Sequence, residues 1–408
     1  MTSKPRLLVI SKVLPFPGES GQQMRVRNTL ESLRDNYHLS FLTTAQSIDL
    51  EYIKNELRTF VDDCIVLPSL YDGLFYKVSH KIKGFVWMLW TGLKLSNYIV
   101  GDVEITTERL KSVLEEKSFD IVLYEYWHAH KTIQYFKDRN IPTILDMHNI
   151  LWQSYKKQLK RIKCLPQFVK DWSIKRYKDQ EENIWNKFEG LIAINQTEFD
   201  YIKTNLNKKQ DVILIPMGID FSKWDIERKT SNPPRVGYYG GLGSIHNQRD
   251  ALKCYRDIMP KVWEINPKIE FWIVGSNPPK EISELPKMDK RVHVTGFIME
   301  PWEILKTMTV MVLPWEGTYG FRSRIIEMIA IGIPIVTSKD AIDGMDIIID
   351  NGMIIAKSIK QFSEKVILVI ADQNLNKTME IKCKKLVMKK FDLKHTYSNV
   401  NIFLSKYL

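Results

Sequence analysis

The chain has 408 residues, 44% of them hydrophobic, and a formal net charge of +11. That length exceeds one ordinary core and predicts two domains of about 200 residues each, while the composition excludes a disordered or low-complexity chain. Four scattered cysteines, Cys64, Cys164, Cys254 and Cys383, form no C-x-x-C pair, which points away from a disulfide framework or a cysteine metal site and toward a reducing cytoplasm.

Short β runs alternate with helical patterns, so the expected fold class is α/β, with parallel sheets in two Rossmann-like domains. Residues 7–11 have a strand's length and lack a small-residue cleavage site, so they read as a strand and not as a signal peptide. The chain then passes Pro15, Pro17 and Gly18 to Gly21, where a helix begins with Val26, Leu30 and Leu33 on one face. Gly21 is a candidate for close backbone approach to a ligand at that helix start. Strands follow at residues 39–43 and 65–67. Between residues 71 and 98, Lys77, Lys81, Lys83 and Lys94 interleave with Phe75, Tyr76, Phe85, Trp87 and Trp90. That mixture suits a helix lying in a bilayer interface, and equally an amphipathic helix packed on its own domain. The longest apolar stretch, residues 84–93, is shorter than the about 20 residues of a membrane span.

Further strands are expected at residues 121–124, 143–145, 191–194 and 212–215. The first of these ends in Glu125, His128 and His130, and the second in Asp146-Met147-His148-Asn149. An imidazole at such a strand end can hydrogen-bond a ligand hydroxyl or phosphate oxygen in either protonation state near neutrality, which makes His148 the leading site candidate of the first half. The histidines and carboxylates at 125–130 lack a third cluster that would complete a metal site. Charge, turn formers and Pro233-Pro234 make residues 221–234 a linker between a first domain at 1–220 and a second at 235–390. The second series has strands at 235–239, 271–274, 292–295, 309–313 and 333–336, and Gly240 and Gly241 follow the first of them. The basic clusters at 156–163 and 382–390 carry no recognisable nucleic-acid module.

The most informative stretch is Gly320-Phe321-Arg322-Ser323-Arg324-Ile325-Ile326-Glu327, which opens an apolar helix ending in Gly332-Ile333-Pro334. Unpaired N–H groups and the positive dipole end at a helix start attract phosphate, two arginines add charge-assisted donors, and a carboxylate one turn later can accept from ribose hydroxyls. The spacing therefore suits a nucleotide diphosphate.

This stretch resembles the signature of retaining, nucleotide-sugar-dependent glycosyltransferases of the GT-B class, group 1 or family 4, roughly G-x-x-R-x-K-x-x-E-A-M-A-x-G-x-P-V-V. The resemblance implies two Rossmann-like domains facing across a cleft, with Arg322 and Arg324 on the donor diphosphate and in catalysis, Gly320 at the turn and Glu327 on the ribose. Where many members carry a glutamate near the donor sugar this chain has Tyr319, and Glu316 is the nearby carboxylate that could substitute. Pro216-Met217-Gly218-Ile219-Asp220 is similar to the family's P-N-G-V-D, and the loop at Gly240 and Gly241 resembles the one that approaches the donor phosphates, without its usual Arg and Lys. By the same resemblance Gly21 belongs to the N-terminal cleft loop, His148 lies beside the donor sugar, Glu125 and His128 sit on the acceptor-facing rim, and residues 391–408 form a helix that crosses back to the first domain.

The implied reaction moves a sugar from a nucleotide-diphosphate donor, UDP-linked by default with GDP-mannose types open, to a hydroxyl acceptor with retention. It implies neither metal nor cofactor and a lipid-linked or polysaccharide acceptor in surface polysaccharide, lipopolysaccharide or glycolipid synthesis. The expected location is the cytoplasm or the inner face of the cell membrane, with anionic lipid as a partner and no nucleic acid. Three alternatives stand beside it: a nucleotide-sugar epimerase of the same architecture, a catalytically silent membrane-surface protein that keeps a nucleotide-sugar pocket, and a nucleic-acid binder suggested by charge alone.

Overall fold

The computed structural model describes the chain except residues 1–3, 19, 71–77, 80, 81, 83, 84, 87–103, 161, 163, 164, 207–209, 317–321, 343, 344 and 346–351. The chain divides into two compact units, Met1–Met217 with Lys394–Leu408, and Gly218–Leu393.

The first unit is built on a seven-stranded sheet of β1 (Arg6–Ile10), β2 (His38–Ala45), β3 (Asp63–Pro68), β4 (Ile121–Glu125), β5 (Thr143–Asp146), β6 (Gly190–Ala193) and β7 (Asp211–Leu214). Their order is β3-β2-β1-β4-β5-β6-β7, and every pairing is parallel. Strands covered on both faces read as continuous apolar runs, and Leu7, Leu8, Val9 and Ile10 are all buried. The helix Gly21–Leu33 follows β1 and starts with a capping box between Ser20 and Gln23.

The second unit carries six strands, β8 (Arg235–Tyr239), β9 (Glu270–Val274), β10 (Val292–Val294), β11 (Val310–Leu313), β12 (Ile335–Thr337) and β13 (Met353–Ile355). Their order is β10-β9-β8-β11-β12-β13, again all parallel. The α/β class with two parallel sheets is as expected from the sequence. Strand β13 was not anticipated; it is three residues long and half-buried at the sheet edge, so its pattern is weak.

In each sheet the strand order reverses between two neighbours, β1 and β4 in the first, β8 and β11 in the second. Loops leaving the carboxyl ends of such strands spread apart and leave room for ligands.

The stretch read as a linker lies with the second unit. Arg228 donates to the Gly332 carbonyl at 3.0 Å and to Asn376, and pairs with Glu380, so its side chain is 5% exposed. A run of charge and proline looked like a connector in sequence because the partners of Arg228 lie more than a hundred residues away.

Among the described residues no helix is long and apolar enough to cross a membrane. The lysines and tryptophans between 71 and 98 that suggested a bilayer interface lie outside the described residues.

Candidate functional site

On the second unit, the helix Ser323–Ile331 follows β11 and ends at Gly332, whose φ of 88° gives the left-handed turn that stops it. No side chain caps its start, where Arg322 is the flanking residue. The loop after β8 holds Gly240 and Gly241, and because β8 pairs with β11, that loop and the helix start are neighbours at the switch point. Arg324 links them. Its guanidinium lies 5.5 Å from the centre of the Tyr239 ring, and a Cβ placed on Gly241 would sit 3.2 Å from Arg324 Nη2. Arg322 lies 5.9 Å from the Trp315 ring centre.

Glu327, one turn into the helix, is buried and accepts a hydrogen bond from the Tyr239 hydroxyl at 2.9 Å. Burial pushes its carboxyl up from the usual range, against the opposing pull of Arg324 and of the Tyr239 bond. The loop at Gly240 is pinned by Asn247, which donates to the Gly241 carbonyl at 2.7 Å, and by Gln248, which donates to the Leu242 carbonyl at 2.6 Å. Arg324, the Gly241 backbone, Tyr239 and the Glu327 carboxylate thus meet at a single edge of the unit. Gly320 and Tyr319 lie outside the described residues. Glu316, considered as a stand-in for the missing glutamate, is exposed and paired with Lys253, so its charge is already engaged.

On the first unit, β4 and β5 are in register with Glu125 opposite Asp146. Asp146 takes Arg25 from the helix after β1, with Nε at 2.9 Å from both oxygens and Nη2 at 2.8 Å, while Arg25 Nη1 donates to the Ile215 carbonyl at 3.1 Å. Glu125 takes Nε2 of His148. The His148 ring also stacks on Tyr126 with centroids 4.2 Å apart, and Tyr126 stacks in turn on His128 at 5.2 Å. Two residues of this cluster have left-handed backbones, His148 at φ 53° and Tyr126 at φ 67°, ψ 158°. The latter region is essentially glycine's, and such conformations, costing about 1–3 kcal/mol each, gather where a site requires them.

Glu125, Asp146 and His148 bring ligand atoms within 4.8 Å of one another, a spacing that would suit a metal. Arg25 already occupies both Asp146 oxygens and His148 takes one Glu125 oxygen, while the other Glu125 oxygen is buried with no hydrogen-bond partner among the described residues. The expected rim position of Glu125 needs correction, since it is buried behind His148. His128 is half-buried, and burial, with the neighbouring His130 and His148, holds its imidazole neutral with a pKa lowered to about 3. Gly21 is the first residue of its helix, where the capping box engages the N–H groups of Ser20 and Gln23, and the glycine of that loop with a positive φ is Gly18.

The helix Leu151–Lys160 that continues from His148 starts on Glu181, which accepts from the Leu151 and Trp152 N–H groups at 3.0 and 2.8 Å. Burial pushes Glu181 up to about 8 even though both bonds favour the anion. A carboxyl raised in the folded state holds its proton longer than the unfolded chain does, so this group erodes stability as pH rises from about 4.3 to 8. Between pH 5 and 8 the Tm of the parent should therefore fall more steeply than that of Glu181→Gln, measured in the same buffers. Parallel curves would show that Glu181 is already ionised in the folded protein.

Residues 233–372 match the family described as glycosyl transferases group 1. No curated protein matches the sequence. Among solved structures, sucrose-phosphate synthase from Thermosynechococcus elongatus superposes with a TM-score of 0.69 at 14% identity, covering 99% of this chain and 99% of that one. Anabaena HepE in complex with UDP and glucose gives 0.64 at 13% identity over 98% and 99%. A variant of S. aureus TarM, in complex with Fondaparinux, alpha-GlcNAc-glycerol and UDP, gives 0.65 at 11% identity over 99% and 99%. The chain has the fold of these GT-B glycosyltransferases, and the segment that matches group 1 glycosyl transferases, residues 233–372, is the one that holds Arg322, Arg324 and Glu327.

Proposed function

We propose that the protein transfers a sugar from a nucleotide-diphosphate donor to a carbohydrate hydroxyl, with retention and without a metal, in the assembly of a surface polysaccharide or glycolipid. The observation that carries this reading is the edge where Arg324, Gly241, Tyr239 and buried Glu327 meet at the start of Ser323–Ile331. The diphosphate sits on the helix N–H groups between Arg322 and Arg324, and Glu327 takes the ribose hydroxyls. As the bond to the anomeric carbon breaks, negative charge grows on the diphosphate, and the two guanidiniums stabilise that charge more than the ground state. UDP is the favoured donor nucleotide because the HepE and TarM structures are complexes with UDP, and their bound saccharides support a carbohydrate acceptor.

The test is thermal stability with UDP, GDP, ADP and CMP and their sugars, in the parent, Arg324→Ala and Glu327→Ala. Ligand at about 100 times its Kd should stabilise the parent by about 2.7 kcal/mol, and both variants should lose most of that gain. No shift with any nucleotide, or a full shift in both variants, would remove the reading. The buried carboxylates of Glu125 and Asp146 would suit a second reading, epimerisation of a nucleotide sugar, but each is already paired with a cation or an imidazole, which favours transfer. Product analysis separates the two: a new glycoside in one case, an epimerised nucleotide sugar in the other.

A further inference from the structure

We propose that Glu125 is a positioning residue for His148, holding the ring through Nε2 so that Nδ1 is the nitrogen left to address a ligand hydroxyl or phosphate oxygen at the carboxyl end of β5. This rests on the transferase reading for what the ligand is, but the geometry stands by itself. Glu125 and Asp146 are opposite one another on adjacent strands, and two like charges that close disfavour each other's ionisation. The fold gives each a different complement. Asp146 receives a guanidinium, a permanent charge with several donors, and Glu125 receives an imidazole, which can donate from one ring nitrogen and accept at the other. The ring is also clamped on its face by Tyr126, whose backbone is held in a region that residues other than glycine rarely adopt. A histidine fixed on one nitrogen by a buried carboxylate has its tautomer set by that bond, and its other nitrogen becomes a defined donor or acceptor.

The groups that face His148 are Glu125 on β4, Asp146 on β5, Arg25 on the helix after β1, Tyr126 and His128 on the turn after β4, with Tyr397 from the helix Leu393–Leu404 beside Arg25 and Asp146. Of these, Glu125 is the one bonded to the ring. An amide at position 125 can donate to Nε2 as readily as accept from it, so Glu125→Gln keeps the shape while removing the bond that fixes the tautomer.

Two measurements on the full chain test this. The first labels the eight histidines with nitrogen-15, assigns His148 by its absence in His148→Ala, and reads its ring tautomer by NMR. In Glu125→Gln the His148 ring should no longer be held as the Nε2–H tautomer; an unchanged tautomer overturns the proposal. The second measures turnover of the nucleotide sugar found to bind, in the parent, Glu125→Gln, His148→Ala and the double variant. Glu125→Gln should lower kcat about tenfold or more with the donor KM within about twofold, and should have no further effect once His148 is alanine. An equal loss in both backgrounds would mean that Glu125 acts without His148, and overturns it. Should the parent bind no nucleotide, the transferase reading falls while the tautomer seen by NMR still decides the pairing.

Discussion

Replacing Arg25 by leucine is expected to destabilise the first unit by about 3–5 kcal/mol, the usual loss when one partner of a buried ion pair is removed and the other stays uncompensated. Arg25 and Asp146 are 1% and 2% exposed, so water cannot take the place of the missing guanidinium. Three elements depend on it: the helix after β1, the carboxyl end of β5, and the Ile215 carbonyl just past β7. Asp146 would be left buried without its cation, and the loop at His148 would have to open to bring water to it. Denaturant unfolding read by tryptophan fluorescence, with Trp127 and Trp185 buried in this unit, should show the early transition. The control is Arg25→Leu with Asp146→Leu. With both charges gone the desolvation penalty goes as well, and much of the stability should return. If the single variant is as stable as the parent, or the double variant is worse than both singles together, the pair is not what holds these three elements.

Gly275→Ala should be nearly as damaging, and its effect should reach the nucleotide. A Cβ there would lie 1.9 Å from the Gly240 carbonyl oxygen, which is backbone and has no flexible end to swing away. The two loops are zipped together at this point, since the Gly240 N–H donates to the Val274 carbonyl at 3.0 Å and the Leu242 N–H to the Ser276 carbonyl at 2.8 Å. Overpacking of this kind costs about 1–3 kcal/mol and occasionally more, and relief requires moving Gly240 and Gly241. The expected result is a lower Tm together with loss of the shift given by nucleotide. Gly243→Ala is the matched control, as its Cβ would meet nothing closer than Asn277 Cβ at 3.8 Å. A normal nucleotide shift in Gly275→Ala would show that the glycine loop takes no part in binding.

Most strands could be read in advance because a buried parallel strand is a short apolar run, and those runs are separated by polar helix faces. The helix at Ser323 was readable too, since Arg324 and Glu327 are three apart and need no distant partner to lie along the same side of it. What could not be read were bonds that sheet pairing creates. Tyr239 meets Glu327 because β8 lies beside β11, Glu125 meets His148 because β4 lies beside β5, and Lys253 reaches Glu316 across 63 positions. Arg25 lies four residues past Gly21, the residue that drew notice there, while its own partner is 121 positions away. Local spacing names residues that share an element; it is silent on which strand ends will be neighbours.

The division of the chain bears on its synthesis. Gly218–Leu393 is continuous, whereas the first unit needs Lys394–Leu408 to be whole. Chains are made from the N-terminus and domains tend to fold as they emerge. The second unit therefore has all its residues before the first does, and Arg25 and Asp146 wait for Tyr397, which is made only after the entire second unit. The half of the protein begun first is the half finished last.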